Sequence, residues 1–169
     1  MERVWSLSTC SVFQRQAENN IPSFDNQVTE RNAQACYIRS SPMDTDLDLP
    51  ATERTPAVEL RSAEGLLSIH GCSIPENADR FYSPIQDRIE AYALHPRSKT
   101  MLRVALSYFN SSSSKYLLDL MKRLEDLHGS GRSQVTMEWQ YTRGDLDMKE
   151  AGEDYKALVE FPVKVKEVD

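Results

Sequence analysis

The sequence predicts an α/β fold: a single mixed sheet with helices packed against it, in the order β-β-α-β-α-β-α-(β). Three observations carry the prediction. Apolar residues alternate with period two in several short segments. In longer segments between them, apolar residues recur at helical spacing. The two patterns take turns along the chain, and strands that alternate with helices belong to a sheet that is at least partly parallel.

Residues 57–61 and 66–71 are two short strands joined by Ser62-Ala63-Glu64-Gly65, a hairpin turn. Ahead of them, residues 44–56 are a polar lead-in punctuated by Pro50 and Pro56. Pro75-Glu76-Asn77 breaks the chain before a helix over 78–93, whose apolar stripe is Phe81, Ile85, Ile89, Tyr92 and Ala93. Pro84 falls in the first turns, where a missing amide donor costs least, and His95-Pro96 ends the helix. Residues 101–109 form the next strand, with Leu102, Val104, Leu106 and Tyr108 on one face and Arg103, Ala105 and Ser107 on the other. Leu117, Leu120, Met121, Leu124 and Leu127 then repeat at helical spacing, and Gly129-Ser130-Gly131 stops that helix. Val135, Met137, Trp139 and Tyr141 mark another strand. A third helix covers 147–158, and residues 161–168 close as an edge strand with Pro162 at its start.

Composition narrows the function. A net charge of -6 over 169 residues argues against nucleic acid as a partner, since neutralising phosphates needs a basic surface. No apolar run approaches the roughly 18 residues that insertion into a membrane requires. Cys10, Cys36 and Cys72 lack metal-ligand spacing, and His70, His95 and His128 are scattered, so no metal and no cofactor are expected. An odd, sparse set of cysteines fits a reducing cytoplasm.

Residues 1–42 read differently from the rest. They are polar, lack sustained periodicity, and their charges cancel, so the net charge belongs to residues 43–169. They are expected to be either a disordered extension or an over-extended start, with translation beginning at Met43; the second is favoured, because Met43-Asp44-Thr45-Asp46 opens a well-patterned domain.

Between the strand at 101–109 and the following helix stands Asn110-Ser111-Ser112-Ser113-Ser114-Lys115. A hydroxyl at such a junction can cap the helix, act as a nucleophile or accept a phosphate. Ser112-Ser113-Ser114-Lys115 fits S-x-x-K, but the S-D-N and K-T-G partners of that catalytic set are absent, and there is no G-x-S-x-G elbow. No catalytic residues are therefore assigned, and a small serine-dependent enzyme is the remote alternative. A capping serine satisfies free amides and is worth about 1 kcal/mol, but one serine suffices for that. A phosphate is welcomed at a helix N-terminus by free amides and the macrodipole, and Lys115 lies one turn after Ser111. Residues alone leave capping and phosphorylation open. Farther on, residues 145–155 are acidic without an EF-hand spacing. Gly152 sits inside the helix at a cost of about 1 kcal/mol, which implies close approach of another backbone or a partner.

Residues 55–165 resemble the SiaC family of bacterial regulatory phosphoproteins. The likeness rests on four blocks: Thr55-Pro56-Ala57-Val58; Gly71-Cys72-Ser73-Ile74-Pro75-Glu76-Asn77-Ala78 with Phe81-Tyr82; Tyr108-Phe109-Asn110-Ser111-Ser112-Ser113 with Lys115; and Asp147-Met148 with Glu150-Ala151-Gly152-Glu153-Asp154-Tyr155. The resemblance implies that Ser111, standing where the family has a threonine, is the phosphoacceptor, with Ser112 and Ser113 as the less favoured candidates. It implies a Ser/Thr kinase, a PP2C-like phosphatase and a diguanylate cyclase (a GGDEF protein) as partners, the cyclase being activated by the unphosphorylated form. The expected partner surface is Asn110, Ser111, Ser112, Lys115, Glu76, Asn77, Gly152, Glu153 and Asp154. The layout is also similar to STAS domains, which gives the alternative of an anti-sigma-factor antagonist controlling transcription.

Overall fold

The computed structural model describes residues 45–169, and the expectation for residues 1–42 lies outside them. Six strands form one sheet in the order β1 to β6: β1 (Leu47–Leu49), β2 (Ala57–Arg61), β3 (Leu66–Ser73), β4 (Lys99–Phe109), β5 (Gln134–Thr142) and β6 (Val163–Val168). The first two pairings are antiparallel and the remaining three parallel. Helices α1 (Ala78–Leu94), α2 (Ser111–Gly129) and α3 (Leu146–Leu158) make the parallel crossovers. The mixed sheet and its helices are therefore as expected, with one strand added. Leu47 and Leu49 straddle a single aspartate, too few residues for the alternation to show in sequence.

Strands added in one direction through right-handed crossovers carry their helices on one face, and burial agrees. Leu67 and Ile69, Leu102, Val104 and Leu106, and Val135, Met137 and Trp139 are buried against the helical stripe Leu117, Leu120, Met121, Leu124 and Leu127. The other face is polar, with Glu59, Ser68, Arg103, Glu138 and Lys164 side by side across five strands. In α1 the stripe gains a member that sequence missed: Tyr82 is fully buried, whereas Phe81 is half-buried.

One irregularity matters for function. Leu106 pairs with Gly71 and Tyr108 with Cys72, so β4 carries an extra residue, Ser107, opposite the step between Gly71 and Cys72. The Ser107 hydroxyl donates to the Gly71 carbonyl at 3.3 Å, and Gly71 accommodates the kink at φ +105°. Beyond this bulge the faces exchange. Tyr108, expected in the core with Leu106, is 56% exposed. Phe109 turns inward in its place, edge-on to Trp139 at 6.2 Å and 6.1 Å from the Tyr155 ring.

Candidate functional site

The carboxyl ends of β3, β4 and β5 each lead into a helix N-terminus, so three helix starts share one edge of the sheet. Each start is capped by a side chain. Asn77 Oδ1 accepts from the Arg80 amide at 2.9 Å, Asn110 Oδ1 from the Ser113 amide at 2.8 Å, and Asp145 Oδ1 from the Met148 amide at 3.1 Å. The cap of α2 is thus Asn110 and not a serine. Asparagine is as good a cap as serine, so the residue before the serine run carries that signal in the sequence.

With the cap supplied by Asn110, the four serines fall into different environments. Ser111 and Ser112 are exposed on the first turn, and their amides have no acceptor within the helix. Ser114 is half-buried and its hydroxyl donates to the Ser111 carbonyl at 2.8 Å. Ser113 is completely buried. Its hydroxyl donates to the Ser73 carbonyl at 3.0 Å and accepts from the Ser73 hydroxyl at 2.9 Å. Ser73 Oγ in turn lies 2.6 Å from the Tyr82 hydroxyl. Burial pushes the Tyr82 phenol up, partly offset by the neighbouring hydroxyls of Ser73 and Ser113.

Neighbouring elements brace the junction. The Asn110 amide donates to the Ser73 carbonyl at 3.1 Å, tying the start of α2 to the end of β3. Tyr116 stacks on Tyr82 at 5.3 Å and donates to Asp79 at 3.0 Å, joining the first turns of α1 and α2. Tyr155 of α3 donates to the Ser114 carbonyl at 3.1 Å, and burial pushes its phenol well above the ordinary tyrosine range.

Asn110, Ser111 and Ser112 occur together at the start of α2, and Lys115 follows one turn after Ser111, with its ammonium 5.9 Å over the Tyr116 ring. Glu76 and Asn77 flank them at the start of α1, Glu76 in an exposed ion pair with Arg54 at 2.6 Å. Glu153 and Asp154 are exposed on α3, Glu153 pairing with Lys156 at 2.9 Å. Gly152 does not belong with them. It is buried, and a Cβ there would lie 2.4 Å from Trp139 Cδ1. The close approach that its position implied is to an indole of the same chain. Among the described residues, no cluster of three or more His, Cys, Asp or Glu side chains is placed to hold a metal ion, and no helix is long and apolar enough to cross a membrane.

Known proteins are similar to this chain in sequence and fold. Residues 49–168 match the model of the SiaC family regulatory phosphoproteins. An uncharacterized protein of Pseudomonas aeruginosa (strain UCBPP-PA14) is 31% identical over 125 residues, covering 74% of this chain and 98% of its own length. Among solved structures, the fold matches a chain in the crystal structure of the diguanylate cyclase SiaD in complex with its activator SiaC from Pseudomonas aeruginosa. That match has a TM-score of 0.69 and 31% identity, over 73% of this chain and 100% of that one. Apo-SiaC from the same organism matches with a TM-score of 0.66 and 31% identity, over 72% of this chain and 98% of that one.

Proposed function

This chain belongs to the SiaC family of regulatory phosphoproteins, and from that membership we propose that it is a non-enzymatic cytoplasmic switch whose state is set by phosphate on Ser111. A Ser/Thr kinase transfers the γ-phosphoryl group of ATP to Ser111 Oγ. The new P–O bond forms as the bond to ADP breaks, and the hydroxyl proton leaves to a base on the kinase. A PP2C-like phosphatase reverses the step with water, releasing inorganic phosphate. The unmodified chain binds and activates a diguanylate cyclase, raising cyclic di-GMP and with it biofilm formation and aggregation. The partner class follows the relative, since SiaC is the activator of the cyclase SiaD in their complex.

The observation that carries the acceptor assignment is the exposure of Ser111 as the first residue of α2, beside two amides without helical acceptors. A dianion attached there meets the positive end of the helix and does not invade the core. It does add about -1.5 to -2 charges to the surface formed by Asn110, Ser112, Lys115, Glu76 and Asn77, which repels or desolvates badly against a packed partner. Phosphopeptide mapping of the chain from its native cells tests this: phosphate on Ser111 is expected, and its absence from residues 111–114 in the presence of the kinase would sink the assignment.

A further inference from the structure

The buried hydroxyls behind the serine run form a directed chain. Ser73 spends its proton on Ser113 Oγ, so the short 2.6 Å contact is the Tyr82 hydroxyl donating to Ser73 Oγ. Ser113 then donates onward to the Ser73 carbonyl at 3.0 Å. Each of the three hydroxyls gives its proton once, and the Ser73 carbonyl also takes the Asn110 amide. All three side chains are fully buried. Three elements, the end of β3, the second turn of α1 and the first turn of α2, are thereby fastened at one point. A cap alone does not need this, because Asn110 already satisfies the Ser113 amide.

We propose that Ser113 is a positioning residue for phosphorylation: its buried hydroxyl, locked to Ser73 and Tyr82, holds the first turn of α2 so that phosphate goes to Ser111 and not to the hydroxyls behind it. The proposal rests on the phosphoprotein reading above. The latch withdraws Ser113 from any kinase, and it fixes the Ser111 carbonyl where the Ser114 hydroxyl can bind it at 2.8 Å. Ser114 is thereby engaged, while Ser111 and Ser112 remain exposed, Ser111 as the first residue of the helix. Removing the Ser113 hydroxyl leaves the Ser73 hydroxyl without its acceptor in a buried site, an imbalance that is relieved by opening the turn to water.

The test compares the native chain with Ser113→Ala, Ser113→Thr and Ser73→Ala, each produced in the native host and checked for folding by circular dichroism. Fragment-level mass spectrometry locates the phosphate, and hydrogen exchange reads the amides of residues 113–115. In Ser113→Ala, exchange at those amides is expected to rise roughly tenfold or more, since losing a buried hydrogen bond costs on the order of 1.4 kcal/mol, and phosphate is expected to spread to Ser114. Ser113→Thr, which keeps the hydroxyl, should restore the native pattern. Where Ser113→Ala fails to fold, Ser73→Ala decides, because it removes a donor to Ser113 while leaving the carbonyl acceptor. A folded Ser113→Ala or Ser73→Ala variant with phosphate still confined to Ser111 overturns the proposal, even if its melting temperature falls. A native chain that takes no phosphate overturns the function instead, and unchanged exchange in the variants then overturns the latch separately.

Discussion

Replacing Gly152 by alanine sets two known effects against each other. The residue lies inside α3 with ordinary helical φ, so alanine relieves a backbone penalty of about 1 kcal/mol. Its Cβ, however, would lie 2.4, 2.8 and 2.9 Å from Cδ1, Nε1 and Cγ of Trp139. That indole cannot swing aside freely. Its Nε1 donates to the Met148 carbonyl at 2.8 Å, and its ring packs against Phe109 at 6.2 Å and Tyr155 at 5.2 Å. Overpacking costs about 1–3 kcal/mol, and pulling the indole from its acceptor costs about 1 kcal/mol more. The balance is a net loss of about 2 kcal/mol, or a melting temperature lower by about 6–10 °C in a domain of this size. Thermal denaturation by far-ultraviolet circular dichroism measures it, with the near-ultraviolet band reporting the displaced indole. Gly129→Ala is the control, since a Cβ there meets nothing within 4 Å and should leave stability unchanged or higher. A Gly152→Ala chain as stable as the native one would refute the packing account.

Other expectations concern the switch and its supports. Ser111→Asp should weaken binding to the cyclase and Ser111→Ala should leave binding intact but no longer regulated; equal affinities by titration calorimetry would count against the mechanism. Asn110→Ala removes the cap of α2 and should cost about 1 kcal/mol in a urea melt, and a cost below about 0.3 kcal/mol would show that a serine takes over. Glu125 is held below its ordinary range by a hydrogen bond from Lys122, and secondly by the Glu160 amide. Folding lowers its pKa, so its stabilisation is complete above the ordinary carboxylate range and is lost as pH falls through the lowered value. Glu125→Gln should therefore flatten the acid side of the curve of melting temperature against pH, and an unchanged slope would exclude that role.

Long periodic segments were legible in the sequence because one face of each is buried. The stripe Leu117, Leu120, Met121, Leu124 and Leu127 and the alternation Val135, Met137, Trp139 and Tyr141 stand in the core as their spacing implied. What was not legible came from tertiary events that leave no period. The bulge at Ser107 moved Tyr108 out and Phe109 in. Tyr82 lies beside Phe81 and took the deeper position because its hydroxyl found Ser73. Gly152 reads as a defect in a helix until Trp139 is placed against it. At the candidate site, the sequence located the junction between β4 and α2. It could not sort four identical side chains, because their difference lies in what each one meets: solvent for Ser111 and Ser112, the end of β3 for Ser113 and the Ser111 carbonyl for Ser114.

The same features explain why a phosphate here can control a partner without disturbing the fold. The bulge turns Phe109 into the aromatic cluster with Trp139 and Tyr155, which fixes where β4 ends and where Asn110 begins α2. Behind the first turn the contacts are neutral hydroxyls and rings, satisfied among themselves. A dianion on Ser111 therefore acts on the helix end, where it is favourable by about 0.3–1 kcal/mol, and on whatever covers that end. A hundredfold change in partner affinity requires about 2.7 kcal/mol of difference between the two states. The helix-end interaction alone is smaller than this and favours the phosphate, so it does not supply the discrimination. On the proposed reading it arises at the contact surface, where the partner would desolvate the added charge beside an already acidic domain. On the proposed reading the chain would stay folded in both states, and phosphate would change only the occupancy of its partner.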